Sequence, residues 1–90
     1  MPVTFDPSKR QAILEHRGLD MALADQVFAG ATITIPDTRR DYGESRFITT
    51  GKLNGRMIVL VWTERAGTHR IISMRKANAR EQKIIGSRLD

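Results

Sequence analysis

The stretch RFITTGKLNGRMIVLVWTERAGTHRIISMR, residues 46–75, decides the fold. It holds three β-rich runs, Arg46 to Lys52, Arg56 to Glu64 and His69 to Arg75, separated by turn residues. Asn54-Gly55 is the dipeptide best suited to the left-handed φ values of a two-residue type I′ turn, so the first two runs form a hairpin. Counting outward from that turn sets Leu53 opposite Arg56, Gly51 opposite Ile58, Thr49 opposite Leu60 and Phe47 opposite Trp62. For the next hairpin, a two-residue loop at Ala66-Gly67 and a four-residue loop at Arg65 to Thr68 give the same register, with Glu64 opposite His69, Trp62 opposite Ile71, Leu60 opposite Ser73 and Ile58 opposite Arg75.

Upstream, Thr32 to Ile35 is β-branched and stops at Pro36, which cannot donate to a ladder, and Asp37 to Ser45 is polar and turn-like. Before it lie two helical segments. Asp6-Pro7 opens the first, the Asp side chain accepting from free amides and Pro losing nothing at the first helical position, and Gly18 closes it. Asp20 caps the second, which buries Met21, Leu23, Val27 and Phe28 and ends at Gly30 as a left-handed stop. Downstream, Asn78 with Glu81 three residues on reads as a capping box that starts a last helix. The order is ααββββα, an α+β domain with one layer of helices against a four-stranded, mainly antiparallel sheet.

Ninety residues are expected to form a single domain, 1–90, near the lower size limit for folding without metals or disulfides. Cysteine is absent, which removes disulfide frameworks, thiolate metal sites and a cysteine nucleophile. His16 and His69 lack the spacing of a zinc pair, and no nucleophile elbow or phosphate loop is present, so no cofactor is expected. The longest apolar run, Met57 to Trp62, is too short to span a bilayer, and a cytoplasmic, soluble protein without membrane contact is expected.

Charge is uneven along the chain. Residues 1–45 carry five Lys/Arg against seven Asp/Glu, whereas residues 46–90 carry ten against three. A basic half suits a polyanion, because each phosphate contact releases counterions, although scattered Lys and Arg also serve solubility. Strand alternation places Trp62, Phe47, Thr49, Ser73, Glu64, His69 and Arg75 on one face, a mixture that suits a binding surface. The opposite face, with Ile48, Met57, Val59, Val61, Ile72 and Met74, suits a core under the helices. Its ends carry Arg46, Thr63 and Arg70 in one row and Lys52, Met57 and Lys76 in another, like charges that an anion would bridge.

Such a surface has the parts for RNA cleavage without a metal: a base for the ribose 2′-hydroxyl, cations for the phosphorane and an acid for the departing 5′-oxygen. Glu64 or His69 would move protons, Arg70 and Arg75 would hold phosphate, and Trp62 or Phe47 would stack an unpaired base. The bland alternative is that Glu64 and His69 are an ordinary exposed cross-strand pair and Trp62 is core.

A family resemblance adds to this. Phe5-Asp6-Pro7-Ser8-Lys9, Val27-Phe28-Ala29, Glu44-Ser45-Arg46-Phe47-Ile48 with Gly51, Ile58 to Val61 followed by Trp62-Thr63-Glu64-Arg65, and Arg70-Ile71-Ile72-Ser73-Met74-Arg75-Lys76-Ala77 resemble the BrnT family across nearly the whole chain. That resemblance implies a RelE-like fold and a ribonuclease toxin of a type II toxin–antitoxin pair that arrests translation. It also implies neutralisation by a BrnA-like antitoxin whose ribbon-helix-helix domain binds DNA, so that DNA is met only indirectly. By position, the family's basic and polar residues fall on Arg46, Glu64, Arg65, Arg70, Ser73 and Arg75, with Lys76 beside them. The expected catalytic set is Glu64, Arg65, Arg70 and Arg75, and the expected RNA-binding set is Arg46, Lys52, Trp62, His69, Ser73 and Lys76. The alternative function is a non-catalytic module that binds RNA or an antitoxin. Arg70 and Arg75 stand five apart and would face opposite sides of a regular strand; either a bulge or the strand ends reconcile them, or only one contacts the scissile phosphate.

Overall fold

The computed structural model describes residues 1–89. Asp6 caps α1 (Pro7–Arg17) by accepting from the Ser8 amide at 2.8 Å, and Gly18 ends it at φ 67°, donating to the Leu14 carbonyl. Asp20 accepts from the Ala22 amide at 2.9 Å and starts a single 3-10 turn, Met21–Leu23, that leads into α2 (Ala24–Ala29). Arg10 reaches back from α1 and grips both Asp20 oxygens at 2.7 and 2.9 Å, which holds the two helical segments together. That clamp, with the Ala22 amide, keeps the Asp20 carboxyl down at about 2.

Five strands make one sheet in the order β1-β5-β4-β3-β2: β1 (Val3–Phe5), β2 (Ile33–Pro36), β3 (Phe47–Leu53), β4 (Arg56–Arg65) and β5 (Thr68–Lys76). The sheet is mixed, because β1 runs parallel to β5, and it has one strand more than the four expected. Val3–Phe5 is too short for periodicity to mark it, and its partner lies more than sixty residues away. Gly30 also departs from expectation: it is extended (φ −99°, ψ −166°) because the chain continues straight toward β2.

The β3–β4 hairpin has the expected register, from Leu53 opposite Arg56 to Phe47 opposite Trp62. Both tight turns have two left-handed residues, Asn54-Gly55 and Ala66-Gly67, whose twist suits a two-residue hairpin. Glu64 opposite His69 and Trp62 opposite Ile71 also hold. Beyond them the register shifts. Val61 faces Ser73, Leu60 faces Met74, Val59 faces Arg75 and Ile58 faces Lys76, so Ile72 is an extra residue on β5. This β-bulge overturns the expected pairs Leu60–Ser73, Ile58–Arg75 and Met57–Lys76.

The bulge and the helix packing also reverse the assignment of the faces. The inner face, against α1, the 3-10 turn and α2, carries Ile58, Leu60, Trp62, Ile71 and Met74, packed with Ile13, Met21 and Val27. The aromatic and threonine side chains expected at a surface are therefore core. Trp62 tolerates this because its indole N–H donates to the buried Thr49 hydroxyl at 2.8 Å, so no donor is stranded. Gly51 is required where α2 crosses β3: a Cβ there would lie 2.8 Å from Val27 Cγ1. The outer face is covered at one end by α3 (Ala79–Leu89), where Met57, Val59, Ala77 and Leu89 form a smaller cluster with Ile33, Ile48 and Ile85 against it.

Candidate nucleic-acid interface

The bulge determines what the outer face presents. With Ile72 as the extra residue, Arg70 opposite Thr63, Ser73 opposite Val61 and Arg75 opposite Val59 all fall on the side of Thr63, Val61 and Val59. Alternation along β4 adds Arg65 to the same side. A regular strand would have separated Arg70 from Arg75, so one inserted residue turns an ordinary strand into a basic strip.

The surroundings of each arginine differ. Arg70 is half-buried, and no hydrogen bond or ion pair engages its guanidinium among the described residues. Arg75 is held by both Glu81 oxygens at 2.7 and 2.8 Å, in a planar fork that matches a carboxylate or a phosphate equally well. Glu81 Oε1 also accepts from the Asn78 amide at 2.9 Å, while Asn78 Oδ1 accepts from the Glu81 amide at 2.8 Å. The capping box that starts α3 is thus also the clamp on Arg75. The Arg75 guanidinium holds the Glu81 carboxyl at about 2, and the Arg75 pKa is raised in turn.

The segment between β2 and β3 packs a second arginine cluster against the end of the strip. Asp37 is buried, and its carboxylate takes two bonds from the Arg39 guanidinium at 2.8 Å each, one from the Arg39 amide and one from the Tyr42 hydroxyl. Arg39 above all, against the cost of burial, holds that carboxyl far below the usual carboxylate range. Arg46 lies over the Tyr42 ring at 4.1 Å and donates to Glu44 at 3.0 Å, while Arg65 reaches the other Glu44 oxygen at 3.1 Å. The Arg46 and Arg65 bonds lower the Glu44 pKa against a desolvation cost. Thr63 donates to the Ser45 carbonyl at 2.6 Å and fixes the start of β3 to β4.

Arg46, Arg65, Arg70, Ser73 and Arg75 are therefore brought to one side, and the other expected site residues are not. Glu64 is exposed on the opposite side, the side of Trp62. Trp62 is 9% exposed, with Phe28 edge-on at 5.6 Å and Phe47 tilted at 4.9 Å, and offers no ring to an unpaired base. His69 stacks flat on Phe28 at 3.8 Å and meets Trp62 edge-on, and its Nδ1 is buried without a partner. Burial, then the nearby N-terminal amine, lowers its pKa; a bond to the Met1 backbone and the Glu64 charge oppose them. Lys76 stands opposite Ile58 on the inner side. Lys52 is on the outer side but opposite Met57, six residues along β4 from Thr63, or about 20 Å at strand rise.

Three contributors were not found from sequence. Glu81 was read only as a cap, because its bond to Arg75 joins two elements. Tyr42 and Glu44 lie in the segment read as polar and turn-like; the alternation of Tyr42, Glu44 and Arg46 was the available signal.

The chain is thus a small mixed-sheet α+β domain with an arginine-rich strip across one side. The family model described as "Ribonuclease toxin, BrnT, of type II toxin-antitoxin system" matches residues 5–81. The chain belongs to this family of ribonuclease toxins. No match was found among curated proteins. None of the described helices is long and apolar enough to cross a membrane.

Proposed function

We propose that the chain is an endoribonuclease toxin that cleaves RNA on the outer face of its sheet, without a metal, in the cytoplasm. The observation that carries this reading is the bulge at Ile72, which gathers Arg70, Ser73 and Arg75 on one side, where no hydrogen bond or ion pair engages Arg70 among the described residues. The scissile phosphate sits on Arg70 and Ser73, and Arg75 completes the fork once phosphate replaces Glu81. The ribose 2′-oxygen bonds to phosphorus, the bond from phosphorus to the 5′-oxygen breaks, and the 2′-hydroxyl proton is passed on to that leaving oxygen. The products are a 2′,3′-cyclic phosphate and a 5′-hydroxyl. Glu44 and Glu81, the carboxylates beside the strip, are held ionised by arginines and are weak bases in that state. Charge stabilisation by guanidinium groups therefore supplies most of the rate. Glu64 and His69 take no part in this assignment. Cleavage arrests translation, and a BrnA-like ribbon-helix-helix antitoxin neutralises the toxin.

The test is cleavage of single-stranded RNA by the purified chain in EDTA. Wild type should leave fragments ending in 2′,3′-cyclic phosphate, and Arg70→Ala should slow cleavage about a hundredfold, the scale of losing one charge-stabilising group. RNA that is shifted on a gel but left intact would replace the enzyme with a binding module. Cleavage by Arg70→Ala at the wild-type rate would remove the strip from the chemistry.

A further inference from the structure

Between β2, β3 and α3 the outer face is a groove of about 400 Å³. Ile33, Ile35, Ile48 and Ile85 line its floor, and Arg39, Arg75 and Arg88 stand on its rim, with Glu81 the one carboxylate among the described lining residues. Ile35 is 53% exposed on this floor. The Arg39 charge is felt at Arg75, so two cations share this rim. Among the described residues no aromatic ring lines the groove, and single-stranded RNA draws much of its binding from stacking on such rings. An apolar floor inside a cationic rim fits a different ligand.

We infer that this groove is a docking site for an acidic amphipathic helix of a partner protein, whose apolar stripe covers the isoleucines and whose carboxylates engage the rim arginines. The inference rests on reading the chain as a toxin with a protein antagonist, and it names the surface that antagonist takes. Charge complementarity argues for the acidic character, and Glu81 on Arg75 already displays the contact a partner carboxylate would make there. A helix is the fitting form because its apolar stripe and flanking charges lie on one side, whereas a strand sends alternate side chains to opposite sides. The docked helix covers Arg75, so binding there excludes RNA from one end of the strip.

Fluorescence anisotropy with the whole chain tests this. The probe is a labelled peptide with leucines at helical spacing flanked by glutamates; controls are the same peptide with lysine for glutamate and a single-stranded RNA oligonucleotide. The glutamate peptide should bind wild type and the lysine peptide should not. Ile35→Asp and Arg88→Glu, both at exposed positions, should each weaken the glutamate peptide about tenfold or more while RNA cleavage stays near wild type. No binding by wild type, equal binding of the two peptides, or unchanged affinity in both variants would overturn the inference. RNA binding that is lost in Ile35→Asp, with no peptide binding, would make the groove an RNA site and leave the ribonuclease reading standing. Peptide binding without any RNA cleavage would do the reverse, keeping the docking site and removing the ribonuclease.

Discussion

Replacing Met74 and Ile72 by alanine, one at a time, tests the register on which the basic strip depends. In a regular β5 the two side chains would share a face and lose similar energy on truncation. With the bulge they differ: Met74 is fully buried on the inner face, packed in the cluster with Met21, Leu60 and Ile71, whereas Ile72 is half-buried. Truncating a fully buried Met leaves a cavity and costs about 3 kcal/mol, while a half-buried Ile loses roughly half its transfer energy, about 1 kcal/mol. The Met74 carbonyl keeps its bond from Arg17 at 2.9 Å in either variant, so the comparison isolates side-chain burial. In a chain of this size each kcal/mol is about 4–8 °C in Tm, so Met74→Ala should melt at least 10 °C lower and Ile72→Ala only slightly lower. Urea unfolding followed by the single Trp62 gives the same comparison as free energies, provided m is unchanged. Equal losses at the two positions, or a larger one at Ile72, would restore regular alternation and return Arg75 to the Trp62 side.

Three further outcomes follow from particular contacts. Gly51→Ala should destabilise by about 1–3 kcal/mol by urea unfolding, because the new methyl meets Val27 Cγ1 at 2.8 Å and Thr32 Cγ2 at 3.0 Å. Ala66→Gly should raise the midpoint, since Ala66 holds φ 51° in a turn position open to solvent, and relieving that conformation is worth about 1 kcal/mol. Glu81 has a folded pKa near 2, below its ordinary value, so its contribution is present above the unfolded carboxyl range and is lost as pH falls toward 2. Acid titration should therefore weaken wild type more than Glu81→Gln between pH about 5 and 2, and parallel curves would show that the Arg75 clamp adds no stability.

What sequence could show was local. The caps at Asp6, Asp20 and Asn78 and the turn at Asn54-Gly55 are decided by a few neighbouring residues, and each was legible. The register across Ala66-Gly67 was legible only as far as Trp62 opposite Ile71. Beyond that point two faces of similar aliphatic content compete for the helices, and alternation cannot say which one they cover. Phe47, Thr49 and Trp62 read as a binding surface because aromatic and polar side chains are mixed on that face; the bond from Trp62 to Thr49 is what lets the polar atoms be buried there. Arg46, Glu64, Arg65, Arg70, Ser73 and Arg75 were named together through family likeness, and the geometry that brings all of them but Glu64 to one side was open until the bulge was seen.

Burial explains why the bulge exists. Ile71 and Met74 are three apart on β5, an odd spacing that sends them to opposite sides of a regular strand, yet both are buried in the inner cluster. Burying both contributes about 2–3 kcal/mol apiece, while an extra residue forfeits roughly one ladder bond, a net of about 1 kcal/mol. The core wins, and the ladder shifts by one residue at Ile72. That shift has a second effect: it moves Arg75 from the side of Trp62 to the side of Arg70. The same apolar contacts that stabilise the inner face therefore align the cations on the outer one. Any substitution that lets β5 run without its bulge should separate Arg70 from Arg75 while leaving both present in the chain.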